Sequence, residues 1–347
     1  METALTKLVG VRHPVVQTGM GWVAGPRLVS AVANAGGLGI LASATMTFDE
    51  LRDAIDEVKE RTDKPFGVNI RADAVDADER VKLMISTGVR VASFARAPAQ
   101  DLIATLKDAG LVVMPSIGAV RHAEKVAAWG ADAVMVQGGE GGGHTGQVAT
   151  TVLLPSVVDA VDIPVVAAGG FYDGRGLAAA LAYGAAGVGM GTRFLLTQES
   201  TVPQAVKDAY LASGVTDTVV TTRVDGVPHR VLRTDLVASL ENAGATRGLL
   251  RAVRNAARFR SLTGLSWQAM LREGLAMRRN HKLTWSQLIM AANTPMLLRE
   301  GLVKGNTDAG VLASGQVVGA LTDLPTCEEL ITRIVAEASE IIGHLPR

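Results

Sequence analysis

The stretch Val134-Met135-Val136-Gln137-Gly138-Gly139-Glu140-Gly141-Gly142-Gly143-His144-Thr145-Gly146 concentrates residues that could do chemistry. Five glycines surround one Glu and lead to one of the six His in the chain. Glycine lets a backbone approach a flat or anionic ligand closely and tolerates positive φ. Gly142 and Gly143 are therefore candidate cofactor contacts. An imidazole exchanges protons near neutrality, which makes His144 the candidate for proton transfer. The plainer alternative for each is an ordinary connector and a solvated His. Two further glycine clusters, Gly169-Gly170-Phe171-Tyr172-Asp173-Gly174 and Gly191-Thr192-Arg193, each follow an apolar run. Backbone N–H groups and a helix N-terminus at such places suit a phosphate. No Gly-x-x-x-x-Gly-Lys-Ser/Thr loop is present, so the phosphate expected is that of a cofactor. Basic residues recur at Arg247, Arg251, Arg254, Arg258 and Arg260, then at Arg278, Arg279, His281 and Lys282. The ordinary meaning is a solvated helix face; the sharper one is a patch for a polyanionic tail such as the phosphates of coenzyme A. No His/Asp/Glu grouping shows metal-ligand spacing, and no metal is expected.

Several short elements must hold these residues in place. Apolar runs end at Gln17, Leu41, Ile70, Phe94, Pro115, Gln137, Ala168 and Met190. Between them lie amphipathic segments of helical period, for example 27–35, 48–61, 100–109 and 119–129. The runs are near-continuously apolar, the pattern of parallel strands covered on both faces. About eight such βα units are what a closed (β/α)8 barrel needs, and the open-sheet Gly-x-Gly-x-x-Gly signature is missing after the first run. The expected fold is α/β, a TIM barrel. Polar residues and glycines gather after the runs: Gln17-Thr18-Gly19-Met20-Gly21, Asn69, Ser93, Ser116, Gln137 to His144, Gly169-Gly170 and Gly191-Thr192-Arg193. In a barrel these ends form one rim, where active sites lie. Beyond Leu196 the rhythm breaks into mainly helical patterns, read as a smaller C-terminal insertion or lid, including an apolar stretch over 285–298. The expected organisation is a barrel over 1–198, a helical substrate or lid domain over 199–310, and a return to the barrel over 311–347.

Composition narrows the function classes. The 347-residue chain is 48% hydrophobic and balances 34 basic against 34 acidic residues, so nucleic acid is not an expected partner. A single Cys excludes an internal disulfide and fits a reducing compartment. No apolar run reaches the roughly 18 residues of a membrane span. No secretory signal is visible at the N-terminus. A cytoplasmic protein is expected, with no membrane partner; the sequence admits a homo-oligomer.

The motifs Gln17-Thr18-Gly19-Met20-Gly21, Gly67-Val68-Asn69, Gln137 through Gly146, Ala168-Gly169-Gly170 and Met190-Gly191-Thr192-Arg193-Phe194 resemble the nitronate monooxygenase (2-nitropropane dioxygenase) family. Ser314-Gly315-Gln316 is similar to its C-terminal turn. The resemblance implies an FMN-binding TIM barrel. It implies Met20, Gly21, Asn69 and Gln137 around the flavin ring, Gly169, Gly170, Gly191 and Thr192 on the phosphate, and His144 near the substrate. Glu140 before the Gly-Gly-Gly-His run, Thr145 after it, the Arg-rich segment, Trp285-Ser286-Gln287 and Ala292-Asn293-Thr294-Pro295 resemble a steroid-catabolism branch acting on hydroindane carboxyl-CoA thioesters. This implies an FMN-dependent dehydrogenase with an acyl-CoA substrate, NAD as a candidate electron acceptor, and Arg247, Arg251, Arg254 and Gln316 as candidate substrate contacts. A nitronate monooxygenase and a flavin-dependent enoyl-thioester reductase are the alternatives within the family; a flavin-binding protein without turnover lies outside this enzyme class.

Overall fold

A strand covered on both faces has no solvent side to make polar, and each apolar run becomes such a strand. The computed structural model describes residues 1–95, 97–241 and 294–344. Eight parallel strands close into a barrel: β1 (Val15–Gln17), β2 (Leu38–Ala42), β3 (Gly67–Ile70), β4 (Val91–Phe94), β5 (Val112–Ile117), β6 (Val134–Gln137), β8 (Val165–Ala168) and β9 (Gly187–Met190). Closure is made by β9 pairing in parallel with β1, Met190 opposite Gln17. The two-residue β7 (Gly143–His144), β10 (Thr218–Thr221) and β11 (His229–Leu232) form a separate antiparallel sheet. The helices are α1 (Ala4–Val9), α2 (Pro26–Asn34), α3 (Phe48–Arg61), α4 (Ala77–Thr87), α5 (Gln100–Asp108), α6 (Val120–Ala128), α7 (Thr150–Val158), α8 (Gly174–Ala182), α9 (Thr192–Leu195), α10 (Gln204–Leu211), α11 (Asp235–Glu241), α12 (Thr294–Leu302) and α13 (Cys327–His344). The expected TIM barrel is present, with helices prominent in the C-terminal part.

The chain divides into two compact units. One comprises Met1–Gly141, Thr145–Thr201 and Ala320–Arg347; the other comprises Gly142–His144 and Val202–Gly319. In the barrel unit, alternate strand residues sort into two layers. Val16, Leu38, Ile40, Val91, Val112, Met114, Met135, Val166 and Ala168 pack together inside the barrel. Leu41, Val68, Ile70, Ala92, Phe94 and Val113 point outward onto Leu51, Ile55, Val58, Met84, Ile103 and Leu106 of the helices. Each fully buried aliphatic side chain contributes about 1.5–3 kcal/mol, so the two layers dominate the stability. This alternation places Asn69, Ser93 and Gln137 inward at the C-terminal strand ends, where polar groups can serve a ligand.

Helix α1 closes the opposite end. Leu5 and Val9 join the interior cluster. Thr3 donates to the Ala186 carbonyl just before β9 (2.7 Å), and Arg90 just before β4 donates to the carbonyls of Leu8 (2.6 Å) and Val9 (3.3 Å). Helix α3 starts where its sequence directs: Thr47 accepts from the Glu50 amide (3.2 Å) while Glu50 accepts from the Thr47 amide (2.7 Å), a capping box.

In the second unit, β10 and β11 pair antiparallel and β11 carries β7 on its other side. Val224, Val231, Val237 and Val311 form its core, with Leu297 and Leu298 of α12 packed against it. These strands lie within a stretch whose sequence reads as helical. The Arg247, Arg251 and Arg254 patch and most of the apolar 285–298 stretch lie outside the described residues. Among the described residues, no helix is long and apolar enough to cross a membrane.

Candidate functional site

The C-terminal rim of the barrel is assembled by close approaches at glycines. A Cβ on Gly19 would sit 2.6 Å from the Asn69 Cβ, and one on Gly191 would sit 3.4 Å from the Met20 sulfur. A Cβ on Gly169 would sit 3.0 Å from the Gly138 carbonyl oxygen, and one on Gly141 would sit 2.6 Å from the Gln137 amide nitrogen. The loops after β1 and β9 thus meet beside Asn69 of β3, the loops after β6 and β8 meet each other, and Met20, Asn69, Gln137, Gly169 and Gly191 lie at the C-terminal strand ends that form one rim. Gly21 lies in the same loop as Met20, its missing Cβ 3.0 Å from a Thr45 methyl carbon. Thr192 is buried directly after Gly191.

Consecutive Gly169 and Gly170 have φ of +90° and +88°, a backbone path that side chains resist. Helix α8 follows them, but its first amides are already taken. The Gly176 amide donates to Asp173 (3.0 Å) and the Gly174 amide to Glu337 of α13 (2.7 Å). The helix end is therefore satisfied by two carboxylates. The phosphate reading rests instead on the Gly169, Gly170, Gly191 and Thr192 amides.

Polar groups inside the rim are ordered by one another. Asn69 donates to the Ser93 hydroxyl (3.2 Å), and the Ser43 hydroxyl donates to the Asn69 carbonyl (2.9 Å). On the outward face of β1, beside the interior residue Val16, the Gln17 amide nitrogen is engaged by the Thr18 and Ile40 carbonyls, while among the described residues its buried Oε1 has no partner. An orphaned buried acceptor costs free energy unless an N–H meets it. Trp22, beyond Gly21, is the one non-glycine residue with positive φ among the described residues (+66°). Its turn is held by the Val23 and Ala24 amides donating to the Met20 carbonyl (3.1 and 2.8 Å). Such a backbone costs of order 1–3 kcal/mol and gathers at ligand sites. Nothing in the sequence singles out Trp22.

Glu140 fixes the glycine-rich loop. Its carboxylate accepts from the Thr150 amide (3.0 Å) at the start of α7 and lies 2.8 Å from the Thr150 hydroxyl, which is also 2.9 Å from the Gly169 carbonyl. A carboxylate here satisfies a helix N-terminus and ties the loop after β6 to the loop after β8.

The second unit holds His144 in a polar cluster that the sequence did not reveal. His144 pairs with His229 across β7 and β11, and their rings are 4.7 Å apart between centroids. Between them sits Asp225, whose Oδ2 is 2.6 Å from His144 Nε2 and 3.2 Å from His229 Nδ1. The side chains of Asp225 and His229 are 7% and 4% exposed, whereas that of His144 is 60% exposed. Burial works against the Asp225 charge, but hydrogen bonds from His144 and His229, and the attraction of both rings, outweigh it and hold the carboxyl well below the usual carboxylate range. The three donor atoms lie within 4.8 Å of one another. Yet 2.6 Å is a hydrogen-bond separation, closer than the about 3.3 Å that two ligands at zinc distances keep across a tetrahedral angle. Gly142 and Gly143 precede His144 in this unit, and a Cβ on Gly142 would meet the Gly315 amide at 2.6 Å. Gln316 begins the short turn Gln316–Ala320 beyond it.

The nitronate monooxygenase family model matches residues 2–337. The chain belongs to this family. Members are flavin enzymes, so this chain is an oxidoreductase that uses a flavin, and the rim just described fits one: glycines without Cβ at the strand ends and an inward amide at Asn69. The chain is 71% identical over 345 residues to the (3aS,4S,5R,7aS)-5-hydroxy-7a-methyl-1-oxo-octahydro-1H-indene-4-carboxyl-CoA dehydrogenase of Rhodococcus jostii, covering 99% of this chain and 98% of that one. It is equally 71% identical, over 348 residues, to the Mycobacterium tuberculosis protein of the same name, covering 99% and 97%. Among solved structures, FabK of Thermotoga maritima is 36% identical with a TM-score of 0.80, covering 99% of this chain and 98% of that one.

Proposed function

We propose that this nitronate monooxygenase family member is an FMN-dependent dehydrogenase acting on the coenzyme A thioester of a bicyclic hydroindane carboxylate from steroid breakdown. The observation that carries this is identity of 71% across 99% of the chain to two proteins bearing that activity in their names. A bound flavin supplies the hydride acceptor. The protein's own part is to hold the ring at the rim through Met20, Gly21, Asn69 and Gln137, and the FMN phosphate through the amides of Gly169, Gly170, Gly191 and Thr192. Gly142 and Gly143 are two further proposed backbone contacts of the cofactor. His144 removes the proton α to the thioester carbonyl while hydride leaves a neighbouring ring carbon, so that two electrons and two hydrogens depart and a carbon–carbon double bond forms. Its exposed ring supports this role. Arg247, Arg251 and Arg254 are the candidates for the coenzyme A phosphates, with Gln316 a further substrate contact. NAD is the proposed final acceptor, and the protein is proposed to work in the cytoplasm.

The test is anaerobic loss of the flavin's visible absorbance. A hydroindane carboxyl-CoA is expected to bleach the holoenzyme and a nitroalkane is not. His144→Ala is expected to slow bleaching by about 10²–10⁴-fold with retained thioester binding. Bleaching by the nitroalkane alone would favour a nitronate monooxygenase, the reading that the family description itself supports. NADH oxidation driven by an enoyl thioester, with no bleaching by the saturated one, would favour a reductase, as FabK-like architecture allows.

A further inference from the structure

We infer that Asp225 is a positioning residue that sets the tautomer of His144, holding its ring hydrogen on Nε2, with His229 bracing the same carboxylate oxygen. This rests on the reading of His144 as the group that accepts the substrate proton.

The carboxylate is fixed before it meets either ring. The turn from Thr222 to His229 closes with the Gly226 amide on the Thr222 carbonyl (2.9 Å), with Gly226 at φ +85°. The Val227 amide donates to Asp225 Oδ1 (3.2 Å). That leaves Oδ2 facing the two imidazoles, which the strand register sets opposite each other. An ionised carboxylate only accepts, so both facing nitrogens carry hydrogen: Nε2 on His144 and Nδ1 on His229. Asp225 thereby selects the His144 tautomer that carries hydrogen on Nε2.

His229 braces the carboxylate from the buried side: it donates from Nδ1, and its own Nε2 is buried with no hydrogen-bond partner among the described residues. The exposed ring, His144, is the one that can meet substrate. A carboxylate that orients a ring and stabilises its charged form, without taking the proton itself, is a recurring arrangement in acid–base catalysis.

Two measurements on the FMN-loaded enzyme test this. In ¹⁵N-histidine-labelled wild type, with the His144 signals assigned by their loss in His144→Ala, nitrogen–proton correlation spectra should show the His144 proton on Nε2 and the His229 proton on Nδ1. A His144 proton resident on Nδ1 would overturn the inference without any appeal to substrate. Asp225→Asn keeps the shape and an oxygen for the Val227 amide. It should lower the bleaching rate by about 10²-fold or more, with substrate affinity little changed, and redistribute the His144 tautomers. A rate within about twofold of wild type, with the Nε2 proton retained, refutes the role. A purely structural Asp225 would lower thermal stability and leave the tautomer alone, which also refutes it. If no coenzyme A thioester bleaches even wild type, the proposed function fails, while the tautomer spectra still decide for or against Asp225.

Discussion

Glu140→Ala should weaken flavin binding although Glu140 is not among the residues proposed to touch the cofactor. Its carboxylate holds the Thr150 amide at 3.0 Å and the Thr150 hydroxyl at 2.8 Å, and Thr150 in turn reaches the Gly169 carbonyl at 2.9 Å. Hydrogen bonds to a charged group are worth about 1.5–3 kcal/mol each, and a carboxylate at a helix N-terminus adds about 0.3–1 kcal/mol. Part of that returns because the freed α7 amide can find water. A net loss of about 2 kcal/mol in loop order is reasonable, which is roughly 30-fold in a dissociation constant. Glu140→Gln keeps an acceptor for the Thr150 amide and loses only the charge, so about 1 kcal/mol, or roughly fivefold, is expected. Quenching of FMN fluorescence on titration with apoprotein reads both. An unchanged constant for Glu140→Ala would show that the loop is ordered without this anchor. Equal losses for Ala and Gln would show that charge is irrelevant to it.

Three further outcomes are expected. Gly138→Ala would bring a Cβ within 2.0 Å of the Thr150 hydroxyl and 2.6 Å of its backbone, so the protein should lose thermal stability and flavin together; retention of both would refute the close approach. Asp323→Ala would leave Arg193, whose side chain is 3% exposed, without its 2.7 Å carboxylate partner. A buried charge stripped of its partner costs about 3–5 kcal/mol, so a fall of roughly 6 °C or more in Tm is expected by calorimetry. The Asp225 carboxyl has its folded pKa depressed, so its stabilising contribution is present above the unfolded value of about 4 and disappears as pH falls through the lower folded value. The urea-unfolding gap between wild type and Asp225→Asn should therefore narrow below about pH 4, and a constant gap would contradict the assignment.

The barrel was legible because burial on both faces writes an unbroken apolar run into each strand. The runs ending at Gln17, Ile70, Phe94, Gln137, Ala168 and Met190 all end as strands at those residues. What escaped was set by contacts between distant parts of the chain. Strands Thr218–Thr221 and His229–Leu232 mix Thr, Arg and His with Val, so their short alternation is hidden among helical patterns. Asp225 lies 81 residues from His144, and only the i,i+4 spacing of Asp225 and His229 hinted at a pair. Likewise the α8 N-terminus looked open to an anion, but Glu337, 163 residues from Gly174, occupies it. Glu140 stood out as the lone carboxylate among glycines, yet its task became visible only with Thr150 beside it.

The seating of α1 has a kinetic consequence. With Leu5 and Val9 filling the far end and side chains packing the interior, the cylinder is a solid plug rather than a tunnel. Whatever binds at the C-terminal rim must leave from that same face, so a bulky guest arriving second stoppers the first. Exchange of the prosthetic group should slow when that face is occupied, and pulse–chase with isotopically marked flavin would measure that delay.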